Sequence, residues 1–341
     1  MAQQAKGLAE FVAEEDLRGI IRKLQQQLAR AKVRNEELAE ATVTACKEAV
    51  VALGPMPPVD KPARDVRKKG AEVALWDMGD WQGGKRTVGY NSDVMVQRVE
   101  YFWNRAERIT DIQRADHPVK KVAIIFGGDM MEGLFQFPTQ AFEIDSTLFT
   151  QFTNVSTLLV RTVRQALSMY DEVEVFAEWG NHGRIGSKRE TIPRSDNMDR
   201  MCYEMARQLL ASEKRLRWVD CPDDIQRCSI GNYRFLVIHG DEVGRNGYVS
   251  QATMINHVNR WKSGALNPWF NFQDVYCHHY HRHAEEPMAN GEGRIFWTGS
   301  TESENRYANE TLAADSIPSQ RIHFIDTEKG RVTSQHKIFL D

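Results

Sequence analysis

Five short polar clusters hold the side chains of this sequence best suited to metal or acid–base chemistry. In order they are Gly79-Asp80-Trp81-Gln82, Gly128-Asp129-Met130-Met131-Glu132, Gly180-Asn181-His182-Gly183-Arg184, His239-Gly240-Asp241 and His278-His279-Tyr280-His281. The last lies in the stretch 275–284, where four of the chain's ten histidines (His278, His279, His281 and His283) fall within six residues. Imidazole is polar, titrates near neutrality and ligates metals, so that density points to binding more than to packing. The donors are carboxylate, amide and imidazole with no thiolate, a set that suits borderline divalent ions such as manganese, iron or zinc. Singly, each cluster reads as a turn or a capped strand end. Five in order are much harder to attribute to loops. Asp77 is a spare carboxylate beside the first.

The elements that must position these clusters are legible in the hydrophobic pattern. Apolar runs at 72–77, 122–126, 173–177, 233–239 and 273–277 read as strands, and each runs into one of the clusters. In α/β sheets the loops at the carboxyl ends of strands bring distant residues together. The unbroken run 122–126 predicts a strand covered on both faces. Helical spacing appears at 92–112, 147–170 and 196–213, and further strands are expected at 226–231, 294–298, 321–326 and 331–339. Strand–helix alternation followed by a strand-rich second half predicts a layered α/β domain with two sheets.

Three regions are expected: an N-terminal helical arm over 1–53, a Pro-rich and basic linker over 54–71, and the α/β domain over 72–341. In the arm, Leu17, Ile21, Leu24, Leu28, Ala31 and Leu38 recur at alternating 4–3 spacing, with Asn35 on the same seam. A lone Asn on such a seam fixes register and oligomer state. Two readings stand for the arm: self-association into a homo-oligomer, or one amphipathic helix packed on its own domain. Residues 54–63 hold four prolines, which suits a linker or an extended crossing segment.

The chain has 341 residues and a net charge of -3, so no whole-protein basic field is present, and a nucleic-acid role needs a local patch. Five cysteines without a C-x-x-C pair read as reduced thiols, and no signal peptide or membrane span is evident. A cytoplasmic protein, in a bacterium or a phage-infected host, is the expectation.

The ordered set Gly79-Asp80-x-Gln82, Gly128-Asp129-x-x-Glu132, Gly180-Asn181-His182, His239-Gly240 and His279-x-His281 resembles the calcineurin-like metallophosphoesterase superfamily. Glycine after His182 is similar to phage and prophage members described as double-strand-break repair exonuclease-like. The resemblance implies a four-layer α/β/β/α sandwich with a two-metal site between its sheets. Carried over, Asp80, Gln82, Asp129 and His281 would hold one ion. Asp129, Asn181, His239 and His279 would hold the other. It implies two divalent ions, Mn2+ first, with Fe2+, Zn2+, Ni2+ or Mg2+ as alternatives. A metal-bridging hydroxide would be the nucleophile, His182 the general acid, and Arg184 a contact to a phosphate oxygen. Three departures stand out: Gln82 replaces a common histidine, Glu132 a common asparagine or aspartate, and His278 the usual glycine.

The expected activity is phosphodiester hydrolysis on nucleic acid, as a DNA exo- or endonuclease. The alternatives are a phosphodiesterase for cyclic nucleotides and a non-catalytic scaffold with a degenerate site. Residues 242–273 interleave Arg245, Tyr248, Arg260, Trp261 and Trp269, a mixture suited to a nucleic-acid strand. They read equally as an amphipathic helix, roughly 250–262, covering a sheet.

Overall fold

The computed structural model describes residues 51–341 apart from 64, 68–69, 138–139, 187–193, 220–224, 244–248, 266–270, 289–290, 292 and 305–316, with scattered positions between 37 and 48. The chain divides into two units, Met1–Glu48 and Ala49–Asp341. The described positions of the first are helical, and the seam from Leu17 to Asn35, with Leu38, lies outside the described residues.

In the second unit, β1 (Glu72–Met78), β2 (Val119–Phe126), β3 (Glu172–Ala177) and β4 (Leu216–Val219) pair in parallel. Beyond β1 the sheet continues antiparallel through β10 (Ser319–Asp326) and β11 (Arg331–Phe339), in the order β11-β10-β1-β2-β3-β4. The second sheet has the order β5-β6-β7-β9-β8, built from β5 (Gln226–Ile230), β6 (Tyr233–Ile238), β7 (Asp274–Cys277), β8 (Ala284–Pro287) and β9 (Arg294–Trp297). Its three central strands, β6, β7 and β9, are parallel, while β5 and β8 are antiparallel edges.

The two-residue period of β1 explains the layering. Val73 and Leu75 face the second sheet, where they join Phe235, Val237, Tyr276 and Phe296 in one buried core. Trp76, on the opposite face, meets Phe102 of α1 (Ser92–Arg114) at 5.6 Å and Tyr170, just past α2 (Leu148–Met169), at 5.9 Å. Phe126 stacks on Tyr203 of α3 (Met198–Leu209) at 6.0 Å. The outer face of the second sheet is closed by Met254 and Val258 of α4 (Gln251–Arg260), which pack with Leu236, Val275 and Ile295. Each fully buried side chain of this size contributes roughly 1.5–3 kcal/mol. The layers are therefore α/β/β/α.

The Pro-rich segment is part of the second unit and is hydrogen-bonded to its helices and their ends. Met56 N donates to Leu209 O at 2.8 Å, Val59 N to Glu213 Oε2 at 3.1 Å, and Arg164 Nη1 to Pro57 O at 2.7 Å. Its non-proline residues supply the donors that proline lacks. No helix among the described residues is long and apolar enough to cross a membrane.

Candidate metal centre

Because β1, β2 and β3 are parallel, the first three clusters leave the first sheet at one edge; β6 and β7 do the same for the last two in the second sheet. Backbone bonds then zip the first two loops together. Asp80 N donates to Gly128 O, Gln82 N to Asp129 O and Gly83 N to Met130 O, each at 2.9 Å. The second and third loops meet through glycine. A Cβ on Gly128 would lie 2.3 Å from Gly180 N, and one on Gly180 would lie 2.0 Å from Asp129 Oδ1.

The seven residues that the resemblance assigns to metal come together in two groups that share Asp129. In the first, His281 Nε2 is 3.5 Å from Asp80 Oδ1 and 3.2 Å from Gln82 Nε2, which is 3.4 Å from Asp129 Oδ2. In the second, His239 Nε2 is 3.0 Å from Asp129 Oδ2 and 3.1 Å from Asn181 Oδ1, with the His279 ring 5.0 Å from that of His239. Asp129, His239 and His279 offer ligand atoms all within 4.8 Å of one another. Asp80, Asp129 and His239 are completely or almost completely buried.

Backbone strain falls on the same residues. Among the described residues six non-glycine positions have positive φ, and five are Asp80 (48°), Gln82 (47°), Asp129 (50°), His279 (71°) and His281 (51°). Each such conformation costs on the order of 1 kcal/mol and persists where the surroundings enforce it, commonly at functional sites. A second sign is the amide of Gln82, whose Oε1 is buried without a hydrogen-bond partner. An orphaned buried acceptor costs about 1–3 kcal/mol. A cation between Gln82, Asp129 and His281 would satisfy it, so the residues present fit a divalent ion.

The charges tell the same story. Burial alone would raise the Asp129 carboxyl, yet His239 and His182 hold it well below the usual range. Burial would lower His239, but Asp129 pushes it up to about 10. Burial likewise opposes protonation of His281, and Asp80 with Glu302 overcomes it. His279 goes the other way, to about 4, through burial and the neighbouring His239. Protons on His239 and His281 would compete with a divalent ion for the same nitrogens.

His182 sits beside the shared carboxylate. Its backbone N donates to Asp129 Oδ1 at 2.7 Å and its Nε2 is 3.9 Å from Asp129 Oδ2. Its Nδ1 lies 3.1 Å from Glu132 Oε2, and Glu132 is bridged in turn by Lys85 Nζ at 3.3 Å. Gln140 Nε2 also lies 3.4 Å from His182 Nδ1, so Nδ1 faces both a carboxylate and an amide. Arg184 is engaged by Asp241, which Arg194 also contacts at 3.2 Å. His278 does not line the cluster; it is fully buried against Asp77. His283 lies close to Arg321 and Lys337, which together with burial push it down to about 3.

Three residues that the sequence did not single out complete the site. Glu302 Oε2 is 3.1 Å from His281 Nδ1 and so fixes which ring nitrogen faces the cluster. Asp199 accepts from Met130 N, Met131 N and Gly180 N at 3.0–3.2 Å. Asn197 donates to Gly180 O at 2.7 Å. The described part of 242–273 covers a sheet: Met254, Val258 and Trp261 are buried in the outer core. Arg245, Tyr248 and Trp269 lie outside the described residues.

No protein-family model matches the chain, and no curated protein matches it in sequence. Among solved structures it is similar to a zinc complex of Vps29 from Entamoeba histolytica, at 11% identity and a TM-score of 0.33, over 79% of this chain and 99% of that one. It is similar to a predicted phosphoesterase from Streptococcus pneumoniae, at 11% and 0.32, over 79% and 98%. A third is the 5'-nucleotidase of Candida albicans, at 8% and 0.35, over 84% and 54%. Values this low assign no activity to the chain.

Proposed function

We propose that the chain is a two-metal-dependent phosphodiester hydrolase of the metallophosphoesterase type, with nucleic acid as its substrate. The observation that carries this reading is the convergence of seven oxygen and nitrogen donors from both sheets, five of them held at positive φ. Asp80, Gln82, Asp129 and His281 would hold one divalent ion, and Asp129, Asn181, His239 and His279 the second. Such ions, when bound, neutralise phosphoryl charge and make water nucleophilic near neutral pH.

The protein's own groups do the rest. His182 turns Nδ1 toward Glu132 and Gln140, which leaves Nε2 to protonate the departing oxygen. Arg184 reaches a phosphate oxygen by leaving Asp241, whose charge Arg194 still compensates. The aromatic ring of Phe137, 5.2 Å from that of His182, offers a stacking surface beside the leaving group. A second reading, a small phosphodiester such as a cyclic nucleotide, is favoured by the ion pairs that engage Arg184, Arg194 and Lys85.

Purified protein with Mn2+ should hydrolyse bis(p-nitrophenyl) phosphate, and Asp129→Ala or His239→Ala should abolish the reaction in a folded chain. Activity surviving in both variants sinks the two-metal reading. Assays on single-stranded DNA, duplex DNA and cyclic nucleotides side by side decide the substrate class. Cleavage of cyclic nucleotides alone removes the nuclease reading.

A further inference from the structure

We propose that His278 is a positioning residue that ties the two sheets together directly behind the candidate metal centre. The division of donors gives such a tie a role. Asp80, Gln82, Asp129 and Asn181 follow strands of the first sheet, whereas His239, His279 and His281 follow strands of the second. Non-covalent contacts set the spacing of the two halves at this level, among them His239 Nδ1 2.8 Å from Gly127 O and the Ser300 hydroxyl donating to Asp80 O at 2.6 Å.

His278 follows the last residue of β7, and its backbone N donates to His239 O at 3.0 Å, joining the ends of β6 and β7. Its fully buried ring then crosses to the first sheet, with Nε2 3.0 Å from Oδ1 of Asp77, the penultimate residue of β1. The other oxygen of Asp77 accepts from the Thr298 hydroxyl, just past β9. Asp77 thus takes hydrogen bonds from two strands' ends in the opposite sheet.

The room for this ring comes from two glycines. A Cβ on Gly79 would come within 2.6 Å of His278 Cδ2, and one on Gly127 within 2.1 Å of its ring. Gly79 directly precedes Asp80, and Gly127 lies two residues before Asp129. One imidazole therefore bears on the backbone leading to two first-sheet donors while being covalently attached to His279.

The tie has a readout independent of metal. His279 N donates to Asp80 Oδ2 at 3.0 Å, so hydrogen exchange at that amide reports the junction of the two halves. His278→Met keeps the bulk and loses the hydrogen bond, while His278→Gln keeps an amide donor at the ε position. In the full chain, His278→Met should speed exchange at the His279 amide at least tenfold and weaken Mn2+ binding by calorimetry about 10–100-fold. His278→Gln should stay near wild type in both. Unchanged exchange in folded His278→Met, or equal losses in the Met and Gln variants, overturns the proposal.

Gly127→Ala supplies a second route if His278→Met does not fold. Its methyl should displace the ring and speed exchange, and the double variant Gly127→Ala/His278→Gly should relieve the clash without restoring the tie. A Gly127→Ala chain that exchanges like wild type also overturns it. The Mn2+ arm rests on the metal reading. If the wild type takes up none of Mn2+, Fe2+, Zn2+, Ni2+ and Mg2+, that reading fails, and the exchange measurements still decide the role of His278.

Discussion

His182 illustrates how one neighbour sets the chemistry of a residue. Burial favours the neutral ring, but the carboxylates of Glu132 and Asp129 reverse this and push the pKa up to about 9. The sign follows directly. The folded value lies above the ordinary 6.5, so the stabilising pair is complete below about pH 6.5 and is lost as pH rises through about 9. The acid form needed to protonate a leaving oxygen vanishes over the same upper range. Replacing Glu132 by Gln removes the nearer carboxylate and should move the alkaline limb of the pH–rate profile down by about 1–3 units. A limb that stays in place would show that His182 is not the acid. Asp80, Asp129, Asn181, His239, His279 and His281 are legible as candidate donors because each follows an apolar run at a short, distinctive spacing. Glu302 is not, since it lies far along the chain from His281 with no motif around it. Only the folded chain brings its carboxylate to the ring.

At the scale of elements, the start of α3 does work that its sequence disguises. Asn197 is the N-cap, its side chain accepting from Asp199 N, and Asp199 looks like an ordinary first-turn acid. Instead Asp199 takes three backbone amides from the second and third site loops. Asp199→Ala would leave Met130 N, Met131 N and Gly180 N buried and unpaired, at about 1–3 kcal/mol each before relaxation. The expected outcome is a loss of several kcal/mol in denaturant unfolding, with Asp199→Asn milder because one oxygen remains. A loss under about 0.5 kcal/mol would mean that the loops hold themselves. The helices over 92–112 and 147–170 appear at Ser92–Arg114 and Leu148–Met169, since long amphipathic periods are strong signals. Two strands escaped the pattern, β4 and β8, and both are sheet edges. Their sequences, Leu-Arg-Trp-Val and Ala-Glu-Glu-Pro, are half exposed, and an edge needs little apolar surface to pair.

At the scale of the whole molecule, the donor set spans two sheets that share one buried core, so a bound ion couples local affinity to global stability. The arm is a separate question, read by mass: light scattering on the full chain and on a version beginning at Pro55 should give different association states if the Asn35 seam joins two chains. Equal monomer masses would remove that reading. For the second unit the coupling is quantitative. An ion that binds only the folded state stabilises it by about 2.7 kcal/mol at one hundred times its dissociation constant. For a domain of this size that corresponds to a rise of about 5 °C in the unfolding midpoint. Asp129 raises His239, and Asp80 with Glu302 raises His281, so an ion taking these nitrogens would have to displace protons. Affinity should therefore increase with pH. Thermal melts with fixed Mn2+ should show a larger rise at pH 8 than at pH 6, chelator should abolish it at both, and Asp129→Ala should show none. Midpoints indifferent at both pH values to Mn2+ and equally to Fe2+, Zn2+, Ni2+ and Mg2+ would separate this cluster of carboxylates and imidazoles from any metal, and with it the catalytic reading of the site.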